Sequence, residues 1–315
     1  MVAIAAGLHG ALFLQTASPA EPAPAAIDQP APASRLASAG MLLDLARVGA
    51  RVVAVGDRGI VVLSDDEGAT WRQAVVPVQS MLTSVAFADP NNGWAGGHGG
   101  VLLVTHDGGE SWNRVEAPTT KDDSFLDLLA VNRRHIIAVG AYGLYCESTD
   151  GGASWEIRLV LEEDMHINRL TRTSNGRILL AGESGTLAHS EDDGRTWAPI
   201  DSPYEGSLYG FFELSNGRWL IHGLRGHVFV SDDQAVTWRQ VAIEHEVLLM
   251  SGLESESGKI VLSGLGGWVF VSDDGGETFA TEKPDSLTAT AELLESGPEH
   301  LIYAGADGVR RLPMP

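Results

Sequence analysis

One eight-residue pattern returns six times along the chain, and it narrows the available folds more than any other feature. Residues 64–71 read SDDEGATW, 105–112 THDGGESW, 148–155 STDGGASW, 190–197 SEDDGRTW, 231–238 SDDQAVTW and 272–279 SDDGGETF. The consensus is Ser/Thr-x-Asp-x-Gly-x-Ser/Thr-aromatic, with Ala235 in the glycine place of the fifth copy and Phe279 in the aromatic place of the sixth. Successive copies begin 41 to 43 residues apart. A period of that length belongs to an array of one supersecondary unit, either a closed propeller or an open solenoid.

Each copy lies between two β-prone runs, such as Ile60-Val61-Val62-Leu63 before the first, so it is a turn inside a hairpin. The carboxylates of Asp66, Asp107, Asp150, Asp192, Asp233 and Asp274 can accept backbone N–H groups and close that turn. Glycine supplies the positive φ that other residues resist, so Ala235 marks the most altered of the six turns. Trp71, Trp112, Trp155, Trp197, Trp238 and Phe279 are expected to bury against the neighbouring repeat. These turns are Asp boxes, or BNR repeats, and their residues are read as structural, not catalytic. Asp-x-Asp-x-Gly also suggests a calcium loop, but the later bidentate Glu is missing, so neither a metal nor a cofactor is expected.

A second element fixes the count. Gly-x-x-Gly occurs at Gly56/Gly59, Gly97/Gly100, Gly140/Gly143, Gly182/Gly185, Gly223/Gly226, Gly264/Gly267 and Gly305/Gly308, each between two β-prone runs, as a tight hairpin would. Further apolar runs open each repeat at 41–45, 82–87, 125–131, 167–170, 208–214, 248–253 and 289–294. Each repeat is thus four strands, and the expected fold is all-β, a seven-bladed β-propeller with four-stranded blades and Asp-box turns over residues 33–315. The seventh repeat lacks an Asp box and an outer strand. Residues 33–38 are expected to pair with 309–312 and close the ring, which removes two sheet edges.

The ends and the charge bound the function. Residues 2–14 are apolar and precede Thr-Ala-Ser-Pro-Ala, like the core and cleavage region of a secretory signal, although no Lys or Arg occurs before Arg35. Residues 1–20 read as a leader or an anchor, and 21–32 as a Pro/Ala-rich tether. An exported, periplasmic protein follows, with membrane tethering left open. Twenty-one basic residues against 42 acidic ones give a net charge of −21, which disfavours nucleic acid and anionic lipid. The lone Cys146 permits no internal disulfide and sits in an apolar run as a small buried hydrophobe.

In a propeller the Gly-x-x-Gly turns share one end of the ring with the loops between blades. The variable residues there are Arg58, His98, Tyr142, Glu183, Arg225 and Asp307, flanked by linker acids such as Asp122, Asp123, Glu205 and those of 162–164. Arg169, on the fourth opening strand, is a binding candidate or an internal ion-pair partner, with 162–164 the nearest acids in sequence. Loop clusters on rigid scaffolds commonly bind, so this end is the candidate partner surface.

With these repeats, and with the phrases NGWAGG at 92–97 and THDGGESW at 105–112, residues 41–312 resemble the photosystem II stability/assembly-factor-like family. The resemblance implies a seven-bladed propeller exported across a membrane and acting without catalysis on a protein partner in or near that membrane. In its non-photosynthetic branch an exporter is one candidate partner. Arginines form a patch on one face of the phototroph members; here Arg58, Arg169 and Arg225 are dispersed among acids. Sialidases also carry Asp boxes, so a carbohydrate-active enzyme using the axial face is the alternative. It requires two positioned carboxylates, and no Arg-Ile-Pro motif is present.

Overall fold

The computed structural model describes residues 29–315. The apolar run and most of the tether lie outside the described residues. From Leu42 onward the chain forms seven antiparallel sheets, each with its strands in chain order, six of four strands and the last of three. We number them blades 1–7, over residues 42–73, 82–115, 125–157, 167–199, 208–241, 249–282 and 290–313. The second strand of each blade is buried along almost its whole length, as in Ile136–Gly140, because both of its faces are covered by neighbouring blades.

The core lies between blades. Val53, Val61 and Leu63 of blade 1 pack with Val85, Ala95 and Leu103 of blade 2, and a similar cluster fills every other junction. The last junction closes the ring in the same way, with Leu42, Val52 and Val62 against Ile302, Ala304 and Val309. Closure therefore comes from apolar packing and not from the expected strand. Residues 33–38 do not pair with 309–312; among the described residues blade 7 has three strands. The chain before the first blade lies along blade 1, where the Ala31 N–H donates to the Val76 carbonyl (2.9 Å), Gln73 donates to the Pro32 carbonyl (3.0 Å) and the Ser34 N–H donates to Gln73 (2.9 Å), and Ala37 then packs in the closing cluster with Val309.

All six Asp boxes make the same four hydrogen bonds. In the first, the Ser64 hydroxyl donates to Asp66 and accepts the Gly68 N–H, while the Thr70 N–H and hydroxyl both donate to Asp66. The other five match bond for bond. These donors hold the carboxyls of Asp66, Asp150 and Asp274 down at about 2. The aromatic bonds its own turn in three copies, with the indole N–H of Trp71, Trp112 and Trp155 reaching the box glycine carbonyl. In blade 4 that carbonyl, of Gly194, instead accepts from the Tyr145 hydroxyl and Arg158 of blade 3. Ala235 keeps the shared turn geometry at φ +68°, a left-handed conformation that costs a non-glycine residue about 1–2 kcal/mol. Cys146 is buried, and burial pushes its thiol up to about 12.

Candidate functional site

Two regions carry polar side chains that the repeat does not require: the ring axis, and the end that bears the Gly-x-x-Gly turns.

The axis is lined by the opening strands, and each of them has a β-bulge just after its first residue. A bulge re-aims the next side chain and frees a main-chain N–H from the ladder. The residues so placed are Asp44, Ser84, Asp127, Arg169, Gly210, Ser251 and Glu292. They staple one blade to the next. Asp44 accepts the Leu45 N–H (2.8 Å) and, across the junction, the Val85 N–H of blade 2 (2.7 Å). Asp127 accepts the Ser84 hydroxyl of blade 2 (3.0 Å) and the Leu170 N–H of blade 4 (2.6 Å). The Ser251 hydroxyl donates to Glu292 and accepts the Leu293 N–H of blade 7 (3.1 Å). Arg169 spans the axis, bonded to Glu292 and 4.0 Å from Asp127.

Burial lifts the Asp44 carboxyl to about 8, with the Glu292 charge adding to it and Arg169 opposing. Burial likewise raises Asp127. His222 fills the space above Gly210, whose missing Cβ would stand 1.9 Å from the ring nitrogen. Burial and the Arg169 charge depress that imidazole to about 3, so it is neutral. Two small cavities remain at the axis, of about 150 and 140 Å³, which share Arg169, Tyr209 and Glu292; each is below the ~300 Å³ at which ligand pockets begin. Each oxygen of Asp44 and Asp127 accepts a main-chain or hydroxyl hydrogen bond, so these carboxyls serve the blade junctions. Arg169 thus sits inside the ring, paired with Glu292 and Asp127 and not with the acids of 162–164. Asp44, Asp127 and Glu292 were missed from sequence, although a carboxylate inside an apolar opening run (Leu-Leu-Asp-Leu at 42–45, Phe-Leu-Asp-Leu at 125–128) was the available signal.

The opposite kind of variation appears at the Gly-x-x-Gly end. In blades 1–6 the third turn residue is left-handed: Arg58, Gly99, Tyr142, Ser184, Arg225 and Gly266. Four of these are not glycine, and each holds its side chain outward at a conformational cost of about 1 kcal/mol or more. Arg58 is 72 % exposed beside Asp57 at 3.7 Å; Tyr142 is 73 % exposed; Arg225 and His98 are exposed on blades 5 and 2. Asp307 accepts the Thr288 hydroxyl. Of the residues singled out from sequence, Tyr142 and Glu183 are brought together. His166 stands edge-on to Tyr142, with ring centroids 4.8 Å apart, and its Nδ1 is 3.7 Å from Glu183 Oε2. Arg58, His98, Arg225 and Asp307 sit on separate turns of the same end. Among the described residues no cluster of His, Cys, Asp and Glu could hold a metal, and no helix is long and apolar enough to cross a membrane.

A family model described as photosynthesis system II assembly factor YCF48 matches residues 63–125 and 110–253, together more than half of the chain. The chain belongs to that family. A photosystem II assembly protein Ycf48 of Synechococcus sp. (strain JA-2-3B'a(2-13)) is 26% identical over 137 residues, 42% of this chain and 41% of the relative. A photosystem II assembly lipoprotein Ycf48 of Synechococcus sp. (strain CC9902) is 27% identical over 146 residues, 45% of this chain and 43% of the relative. The chain thus matches about two-fifths of the length of these curated relatives. The solved structure of YCF48 bound to D1 peptide superposes with a TM-score of 0.72 at 22% identity, covering 88% of this chain and 93% of that one. At that identity the likeness shows the shared propeller.

Proposed function

We propose that this protein is a non-catalytic binding or assembly module, and that its Gly-x-x-Gly end docks a polypeptide in or near a membrane. The observation that carries the reading is the turn position shared by Arg58, Tyr142 and Arg225. The Asp boxes have a left-handed position of their own at Glu67, Asp193 and Gln234, so what sets this end apart is the exposure of an aromatic ring and of guanidinium groups, the side chains enriched where proteins recognise one another. Membership of the YCF48 family supports a protein partner, because one solved relative is bound to a D1 peptide. An exported and membrane-tethered location follows the lipoprotein relative and the leader-like run 2–14. An exporter is one membrane protein that fits. Arg58, His98, Tyr142, Glu183, Arg225 and Asp307 are the proposed contact residues, with Arg169 acting from within as a ring staple.

The test is an affinity capture from native membranes with wild type and an Arg58→Ala/Tyr142→Ala/Arg225→Ala variant of equal thermal stability. A membrane protein retained by the wild type and lost by the variant supports the reading. Capture that is indifferent to the three substitutions contradicts it.

A further inference from the structure

We infer that the junction between blades 3 and 4 is a docking groove for an extended polypeptide segment carrying a bulky apolar side chain followed by lysine or arginine. This rests on the binding-module reading above and adds a place and a partner chemistry to it.

Three successive junctions at the same end of the ring are filled differently. Between blades 4 and 5, Tyr204 of the linker stacks on His227, the residue after the Gly-x-x-Gly turn, with centroids 4.1 Å apart and planes 17° from parallel. Between blades 5 and 6, His245 stacks in the same way on Trp268, 3.7 Å apart, and the Lys283 ammonium lies 4.3 Å from that ring. Between blades 3 and 4 the matching residue is Thr186. The one ring in that linker, His166, is turned towards Tyr142. The space that rings fill at the next two junctions is left as a cavity of about 490 Å³, within the ~300–1,000 Å³ of built binding sites.

Its wall combines the apolar side chains of Leu161, Met165, Leu187, Trp197 and Ile200 with the polar Ser184 and Thr186. Its rim is acidic, with Glu162 and Glu163 from the linker. Neither carboxylate has an ion-pair partner among the described residues. The nearby Arg158 does not neutralise them, because its guanidinium is turned inward to Glu147 and to the Gly194 and Arg195 carbonyls. Outside the groove Leu159 is 88 % exposed and Ile157 46 %, which extends the apolar surface along blade 3. An apolar anchor in the cavity with a cation at the rim satisfies both features, and the charge selects against acidic segments. The outer strand of blade 4 is only Ala198–Pro199, and proline offers no N–H, so the occupant is held by side chains and not by strand addition.

The experiment uses the full chain and a random short-peptide display library, followed by fluorescence anisotropy on the selected peptides. Thr186→Trp places a ring where blade 6 already carries Trp268, so it fills the groove with a residue the fold accepts; its melting temperature serves as the control. The expected motif is Leu, Ile, Phe or Trp with Lys or Arg within the next two positions. Thr186→Trp should weaken the selected peptides by about tenfold or more, and Glu162→Gln/Glu163→Gln by roughly three- to tenfold with a flatter salt dependence. Selected peptides that bind Thr186→Trp as tightly as wild type overturn the groove while leaving a polypeptide-binding module intact. Enrichment of acidic or charge-indifferent motifs overturns the partner chemistry. A library that yields no binder overturns the groove, and the wider reading is then decided by the membrane capture alone.

Discussion

At one end of the ring six Asp-box turns make the same four hydrogen bonds with nearly interchangeable residues; at the other, six turns of one backbone shape carry Arg58, Gly99, Tyr142, Ser184, Arg225 and Gly266 at a single left-handed position. The first end departs from its consensus at Ala235 and Phe279 and keeps its bonds around both; its own left-handed position carries Glu67, Gly108, Gly151, Asp193, Gln234 and Gly275, none of them aromatic or cationic. The second end departs in most blades. Repeated hydrogen bonds mark what closes each turn, and exposed rings and guanidinium groups on a constant backbone mark what the scaffold presents. The axis is a third case, because its side chains vary from blade to blade but face inward.

The largest effect should separate the axis from the presenting end. Arg169→Met leaves Glu292 and Asp127 buried without their cation, and should lower stability by about 3–5 kcal/mol in urea unfolding. Arg225→Met at the exposed turn should change it by no more than about 0.5 kcal/mol. If the two variants unfold alike, the distinction between inward and outward variation fails.

Next come two box glycines. At Gly152 a methyl would stand 2.7 Å from the Trp94 indole nitrogen of the preceding blade, on a backbone at φ +90°. At Gly276, φ +84°, nothing lies nearer than 3.5 Å. Gly152→Ala should cost about 2–4 kcal/mol, from overpacking on top of backbone strain. Gly276→Ala should cost about 1–2 kcal/mol from strain alone. Equal costs would mean that the boxes do not lock against neighbouring blades.

The pH dependence separates box from axis by sign. The box carboxyls are depressed, so their stabilisation is full above about 3.8 and is lost as pH falls towards 2. His222 is depressed from 6.5 to about 3, so its contribution is also lost on acidification, between those values. Asp44 is raised from 3.8 to about 8, so its favourable protonated state is lost as pH rises through that window. Below about 6.5 Asp44 and His222 oppose each other; above it Asp44 dominates. Thermal stability should therefore fall between about pH 6.5 and 8, and Asp44→Asn, which retains an acceptor for the Val85 N–H, should flatten that fall. An unchanged slope in the variant would place the titration elsewhere.

Ala235→Gly is the smallest effect. Relief of a left-handed alanine is set against a lost buried methyl and a more flexible unfolded chain, for a net change within about 0.5 kcal/mol.

The fold was legible because its information repeats. The boxes, the Gly-x-x-Gly turns and the apolar runs each recur at a fixed period, so seven blades could be counted without any long-range contact. Ring closure was not legible, because the closing apolar face of Leu42 reads like that of any other opening run, and residues 33–38 do not reveal that only Ala37 packs into the closing cluster. The axial cluster was illegible for a different reason. The bulge that turns Asp44, Asp127 and Glu292 inward is a backbone event, and the partners of each come from other blades. At the candidate face, residue choice at the turns was readable, but the meeting of Tyr142, His166 and Glu183 depends on how the linker folds over blades 3 and 4.

The most direct measurement is site-specific photo-crosslinking in native membranes, with p-benzoylphenylalanine in place of Tyr142 at the presenting end or of Val236, which is 79 % exposed on the fifth Asp box. The account predicts a discrete membrane-protein adduct from position 142 and none from 236. An adduct from 236 with none from 142 would contradict it and would move the binding surface to the Asp-box end.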